Sequence, residues 1–200
     1  MDFGRILPRS FYARPTVEVA RGLLGKVLVH GPTAGIIVET EAYLGGGDLA
    51  AHSARGLSER TRVIFGPPGH AYVYLIYGMY ECLNLVAEAA GRPGCVLIRA
   101  LQPVSGVELM GVRRGIARKL EQLANGPGKL TLALGITRAH NGADVTRGPL
   151  VVRHAPGEEA MEIAVTPRIG ITRSADLPLR FVVAANGFVS ARRYNGPSLK

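Results

Sequence analysis

The stretch HAYVYLIYGMYECLNL, residues 70–85, admits few folds. Period two sets Tyr72 and Tyr74 on one face and Val73, Leu75 and Tyr77 on the other, the group Tyr77-Gly78-Met79-Tyr80 then breaks the run, and Cys82 to Ala87 resumes it. A side-chain period of two belongs to a strand, and two such runs joined by a short Gly-containing break make a β-hairpin. The same stretch holds four of the chain's seven tyrosines, in a sequence with no tryptophan. A ring at the tip of a hairpin cannot be core. The segment must therefore enter an antiparallel sheet and also present an aromatic surface to something outside the core.

Further runs have the same character. Lys26 to His30 and Gly35 to Tyr43 read as strands around a His30-Gly31-Pro32 break, Gly94 to Leu101 as another, and Leu150 to Arg153, Met161 to Val165 and Phe181 to Ala184 as later ones. Pro15 to Leu24 can form a short helix stopped by Gly25. Gly106 to Ala124 approximates a longer amphipathic helix, with Val107, Met110, Ala117, Leu120 and Leu123 as its stripe and Asn125-Gly126 as its stop. The 26 glycines and 13 prolines are scattered without period among 200 residues, as expected for short elements joined by turns. The expected fold is α+β. It is a single mixed domain over residues 1–200 with a curved, largely antiparallel sheet, peripheral helices, a protruding β-hairpin and a basic tail over about 192–200.

Lys and Arg number 24 against 15 Asp and Glu, a net charge of +9 and a pI near 10.1. Such a balance gathers phosphates, which makes nucleic acid the first candidate partner and an anionic membrane the second. The longest apolar run, Ala71 to Leu85, is shorter than the ~20 residues of a spanning helix and contains Gly78, Glu81 and Asn84. The opening residues lack the apolar core of a signal peptide. The expectation is an intracellular protein that is not a membrane protein. Cys82 and Cys95 lie in strand-like settings without metal-ligand spacing and read as buried thiols.

In GIIVETEAY, period two aligns Ile37, Glu39, Glu41 and Tyr43 on one face. Two carboxylates so placed are either a solvated surface or an acid/base pair. Arg99 favours the second reading, because a cation in the apolar run GCVLIRAL needs a carboxylate or phosphate partner. Glu39, Glu41, Asp48 and His52 offer metal-ligand atoms but no compact ligand spacing. His52 lies in a long Gly-, Ser- and Arg-rich connection, residues 44–70, where a loop histidine and a site histidine look alike. Gly45-Gly46-Gly47 and Gly66-Pro67-Pro68-Gly69 match no nucleotide-binding fingerprint and read as turns. NGPGKL, residues 125–130, either lends N–H groups and Lys129 to a phosphate or is a helix stop followed by a turn. Arg113, Arg114, Arg118 and Lys119 can be simply the wet face of their helix.

VETEAYLG with AAHS, then FGPPGHAYVYLIYGMYECLNL, VLIRALQP, NGPGKL and a late RIG before LPLRF together resemble the alkyladenine DNA glycosylase family, the mammalian-type 3-methyladenine DNA glycosylases. The resemblance is collinear from about residue 4 to about residue 193. It implies a single mixed α/β domain without metal or cofactor that hydrolyses the N-glycosidic bond of a damaged purine in double-stranded DNA and leaves an abasic site. It also implies roles. Glu41 falls where the family has its water-activating general base, and Arg99 where an arginine helps to hold that water. Tyr43, His52 and Tyr74 fall at the positions that enclose the flipped base, Asn84 at the asparagine that disfavours normal guanine, and Tyr77 at the ring that intercalates into the duplex. Tyr72 and Tyr80 are left for packing. Ile64, where the family's pattern has methionine, and GGGDL at 45–49 depart from it at places expected to lie off the site. No lysine falls among the matched site positions, so no Schiff base and no strand cleavage are expected. A monomer is expected, cytoplasmic and nucleoid-associated if bacterial, nuclear if eukaryotic. Two other readings remain: a non-catalytic nucleic-acid-binding module using the same basic face and tyrosines, and an unrelated small-molecule hydrolase, which leaves the positive charge unexplained.

Overall fold

In the computed structural model, which describes residues 3–115, 119–157 and 161–190, the alternating runs become eight strands. These are β1 (Val27–His30), β2 (Thr33–Tyr43), β3 (Ala71–Ile76), β4 (Tyr80–Val86), β5 (Cys95–Ser105), β6 (Leu150–Arg153), β7 (Ile163–Thr166) and β8 (Arg180–Val183). Their pairings are antiparallel, in the order β3-β4-β5-β2-β1-β6, with β8 on β2 and β7 on β8. β2 organises the sheet. Residues 33–36 pair with β1 and residues 39–41 with β8, while β5 follows the other edge throughout. A strand that changes partner partway along one edge forks its sheet, and this one curls into an antiparallel half-barrel.

The fork coincides with a break in register. Ile37 pairs with Leu101, Glu39 with Ala100 and Thr40 with Ile98, so Val38 on β2 and Arg99 on β5 are each extra residues. An inserted residue reverses which side chains face which way beyond it. Ile37 and Ala42 both belong to the hydrophobic core although five positions separate them, and Thr40 bonds the Ala20 carbonyl on the core side at 2.9 Å. Ile37 therefore does not share a face with Glu39, as strict alternation predicts. The reversal turns Glu39 and Glu41 away from the core and toward Arg99.

Four helices cover the core: α1 (Arg9–Tyr12), α2 (Thr16–Leu23), α3 (Val107–Arg114) and α4 (Pro127–Leu134). α2 presents Val19, Ala20 and Leu23 inward, and burying each larger aliphatic chain stabilises the fold by ~1.5–3 kcal/mol. The Glu88 carboxylate accepts the Thr16 N–H at 2.7 Å and its hydroxyl at 2.8 Å, placing an anion on the free donors of the first turn.

Two expectations about helices fail. The predicted helix over 106–124 ends at Arg114, closed by Gly115 in the left-handed region at φ 62. Beyond it Leu120–Gln122 is a separate 3-10 turn. Met110 and Leu123 are buried, but Val107 and Leu120 are exposed, so the stripe was never one face. Ala117 and Arg118 lie outside the described residues. NGPGKL is not a stop and a turn alone: Pro127 opens α4 at its first position, where a missing N–H costs nothing. Thr131 fastens α4 to the sheet by donating to the Glu81 carbonyl at 2.9 Å. The basic tail over 192–200 also lies outside the described residues. Among the described residues no helix is long and apolar enough to cross a membrane.

Candidate active site

The hairpin closes as its sequence demands. Tyr77 at φ 53 and Gly78 at φ 69 both adopt left-handed backbone in the β3–β4 turn, and the Tyr77 ring is 80% exposed. For a tyrosine that conformation costs ~1–3 kcal/mol relative to glycine, so it is held by the strands on either side. Along β3, Tyr72 and Tyr74 stack with centroids 5.5 Å apart, and the His52 ring stands edge-on to Tyr74 at 4.6 Å. These rings, with Tyr43, Asn84 and Arg99, line a cleft of about 550 Å³ that extends to Tyr77 and to the first turn of α4.

Behind the cleft lies an ionic cluster. Arg99 donates Nε to Glu39 at 2.8 Å, and its Nη1 stands 3.3 Å from Glu41. Both carboxylates are fully buried, yet their environments differ. Glu39 also receives Arg180 at 2.7 Å and the Ser190 N–H and hydroxyl at 2.6 and 2.9 Å. Burial alone would raise its pKa, but Arg99 and Arg180 outweigh burial and hold it below the usual carboxylate range. Glu41 has one shared guanidinium, the Ile169 N–H at 2.8 Å and the Tyr43 hydroxyl at 2.9 Å. There burial prevails over Arg99, and its pKa is raised. The shared arginine thus keeps Glu39, rather than Glu41, firmly ionised. Glu41 is the carboxylate with the greater proton affinity. A carboxylate accepts about four hydrogen bonds, and among the described residues its Oε2 takes only the Tyr43 hydroxyl.

Asn84 is buried and donates Nδ2 to the Tyr72 carbonyl at 3.2 Å, which fixes its amide on the cleft wall. His52 Nδ1 meets the Tyr72 hydroxyl at 2.9 Å. Although His52 stays exposed, partial desolvation beside the rings, and then Arg60, lower its pKa to about 4. The seven residues singled out from the sequence thus converge. Tyr43, His52, Tyr74, Tyr77, Asn84 and Arg99 line one cleft, and Glu41 stands directly behind it, bonded to two of them.

Other residues of the site were not singled out. Tyr72 is core, but it also lines the cleft and carries His52. Tyr80, expected to pack, is 47% exposed and forms the wall opposite Gly128, because only a missing Cβ lets the ring lie against α4. Ile64 does not line the cleft, but it is fully buried in a cluster with Tyr72 and Cys95, against which Tyr43 and Tyr74 pack, and so supports the rings from behind. GGGDL also reaches the site through Asp48. Arg168 grips both Asp48 oxygens at 2.6 and 2.7 Å, bonds the Ala42 carbonyl at 2.9 Å, and lies 4.6 Å from the Tyr43 ring centroid. The motif RIG thus delivers a guanidinium to Tyr43 and the next N–H to Glu41. Arg180 and Ser190 were equally silent, since only long-range pairing brings them to Glu39. Lys129 lines the cleft too, with Nζ 2.8 Å from Asn125. Cys82 and Cys95 are buried free thiols, the latter pushed up to about 12 by burial. Among the described residues no group of three or more His, Cys, Asp or Glu is placed to hold a metal.

An aromatic cleft in a basic α+β domain, backed by a buried carboxylate of raised pKa, is suited to a flat ligand held against rings beside a potential base. Comparison with known families makes this specific. The model of the methylpurine-DNA glycosylase family matches residues 10–187, and the chain belongs to that family: it is an alkylpurine DNA glycosylase of DNA repair. A protein of Methanoculleus marisnigri is 54% identical over 192 residues, covering 93% of this chain and 99% of its own. One from Methanocella arvoryzae is 54% identical over 180 residues, covering 88% and 89%. One from Koribacter versatilis is 50% identical over 195 residues, covering 94% of each. All three bear the name "Putative 3-methyladenine DNA glycosylase".

Proposed function

We propose that the cleft receives an alkylated or deaminated purine extruded from duplex DNA and that Glu41 activates the water that cleaves its N-glycosidic bond. The observation that carries this reading is the asymmetric cluster behind the rings: one carboxylate saturated with cations, the other left with raised proton affinity beside Tyr43 and Arg99. A general base works best when its pKa is moved toward the operating pH, and burial moves Glu41 in that direction.

Duplex DNA is held through its phosphates by the positive surface. Tyr77, exposed at the hairpin tip, enters the helix where the base leaves, and stacking of one ring is worth ~1–3 kcal/mol. Extrusion costs a few kcal/mol and least for a damaged base, so selection begins before chemistry. Tyr43, Tyr74 and His52 take the base, and electron-rich rings favour a cationic alkylated purine over a neutral one by ~0.5–2 kcal/mol. The buried Asn84 amide adds a fixed contact that disfavours the amino group of normal guanine. Arg99 then orients the water, Glu41 accepts its proton as oxygen attacks C1′, and the glycosidic bond breaks through an oxocarbenium-like state as in sugar hydrolysis. A cationic purine departs as a neutral base and needs no acid, whereas a neutral one departs as an anion that takes its proton from solvent, so no general acid is assigned. The product is an abasic site on an intact strand. Lys129 acts there as an ammonium held by Asn125 and not as a Schiff-base nucleophile.

The test is base release from duplexes carrying one hypoxanthine or one ethenoadenine, read as alkali-dependent strand cleavage. Glu41→Gln should lose ~10²–10⁴ of the rate while still binding the duplex. Near-normal turnover would remove Glu41 from the chemistry. Cleavage without alkali, with a borohydride-trapped adduct at Lys129, would replace hydrolysis by a lyase route.

A further inference from the structure

The aromatic side of the cleft carries a cation of the protein's own. Arg60 lays Nη2 3.2 Å from Nε2 of His52, and its guanidinium carbon stands 5.6 Å from the Tyr74 ring centroid. Both rings line the cleft. Among the described residues Arg60 makes no ion pair, whereas Arg62 beside it pairs with Glu59 at 3.0 Å. An exposed arginine without a carboxylate ordinarily extends into water. What holds this one is the negative face of the Tyr74 ring and the lone pair of a neutral imidazole, and both would attract any planar cation brought to the same place.

We propose that Arg60 is a specificity-determining residue: a resident cation beside the aromatic cleft, whose like charge a cationic alkylated purine must meet and which a neutral damaged purine can accept as a neighbour. The proposal rests on the reading of this cleft as the base pocket. Arg60 takes its seat against Tyr74 and His52 from outside the cleft's own lining, so a cationic base on the same rings meets its charge. A neutral purine has no such conflict, because a guanidinium stacks on it as it does on a tyrosine. The residue therefore narrows the advantage that the bare rings would give to charged lesions over hypoxanthine or ethenoadenine.

Arg60→Met keeps the length of the side chain and removes its charge. Single-turnover release should be compared on otherwise identical duplexes carrying 7-methylguanine, which is cationic, or hypoxanthine, which is neutral. The ratio of the two rates should rise about two- to five-fold in favour of the cationic base, the size of one screened charge near a protein surface. Equal changes on both substrates would overturn the proposal, because loss of a simple phosphate contact slows both alike. The DNA-free protein supplies a second readout, the NMR titration of the His52 ring. In Arg60→Met the ring should titrate higher than in the wild type, and an unchanged titration would show that Arg60 does not occupy this seat. That titration needs no catalysis. A wild type that releases neither base would count against the assigned function, while His52 would still report on Arg60.

Discussion

Arg168 offers the most direct test of how the site is held. Replacing it with methionine removes a fully buried guanidinium that satisfies both oxygens of the equally buried Asp48. Breaking a buried pair by deleting one partner costs ~3–5 kcal/mol, because the remaining charge stays in the interior without compensation. Asp48 keeps the N–H groups of Leu44 at 3.0 Å and Ala50 at 3.1 Å, which places the cost near the lower end, at about 3 kcal/mol. In a chain of this size each kcal/mol lowers Tm by about 2–4 °C, so a drop of about 6–12 °C is expected. Urea unfolding followed by circular dichroism measures it. The pH dependence gives the sign. Arg168 holds the Asp48 pKa below its ordinary value against the effect of burial, so this stability is present above the unfolded pKa of about 3.9 and is lost as pH falls through the folded value. The gap between wild type and variant should therefore close below about pH 4. Arg168→Met with Asp48→Asn should recover part of the loss. A destabilisation under ~1 kcal/mol at neutral pH, the range of an exposed pair, would refute the reasoning. Base release should slow as well, because the same segment brings the Ile169 N–H to Glu41 and a cation to Tyr43.

Tyr77→Ala should weaken binding of lesion-containing duplex by ~1–3 kcal/mol with unfolding unchanged, since the ring is exposed; fluorescence anisotropy reads the first and thermal melting the second. His30 and His140 meet through their Nε2 atoms at 3.1 Å, and His30 Nδ1 meets the Leu134 carbonyl at 2.8 Å. Burial is the main cause of the lowered His30 pKa, so neutral His30 stabilises the fold fully above about pH 6.5 and loses that contribution as pH falls through its folded pKa. His30→Phe should accordingly show a flatter stability profile between about pH 7 and about pH 5, and a profile as steep as the wild type's would exclude His30 as the titrating group.

Most strands were legible because a half-buried strand writes its period into the chain. The hairpin was legible even to its turn, where Tyr77-Gly78 interrupts the alternation, and Arg99 announced a buried acidic partner by its apolar surroundings. Helices were read less well. Gly115 ends α3 where the apolar pattern runs on, and α4 hides behind glycines that resemble a turn until Pro127 is placed at its first position. Six of the seven site residues picked from collinear motifs line one cleft, with Glu41 behind it, but motif spacing carries no register. The roles of Arg168, Arg180 and Ser190 left no local signal, because each acts on residues far away in the chain, and Arg60, only eight residues from His52, lay unmarked in a polar loop.

By itself the sequence determined a basic, antiparallel α+β domain with an exposed ring at a hairpin tip and a cation obliged to find a carboxylate. Those properties follow from side-chain period, turn chemistry and the cost of an unpaired charge, all of which act locally. Only the tertiary structure decided which of two glutamates stays ionised and which gains proton affinity. That choice depends on the bulge at Val38 and Arg99, which turns both carboxylates from the core, and on strand β8, whose Arg180 pairs with Glu41 along the backbone but sends its side chain to Glu39. Burial and long-range charge, which set a pKa, are properties of where the chain returns to itself.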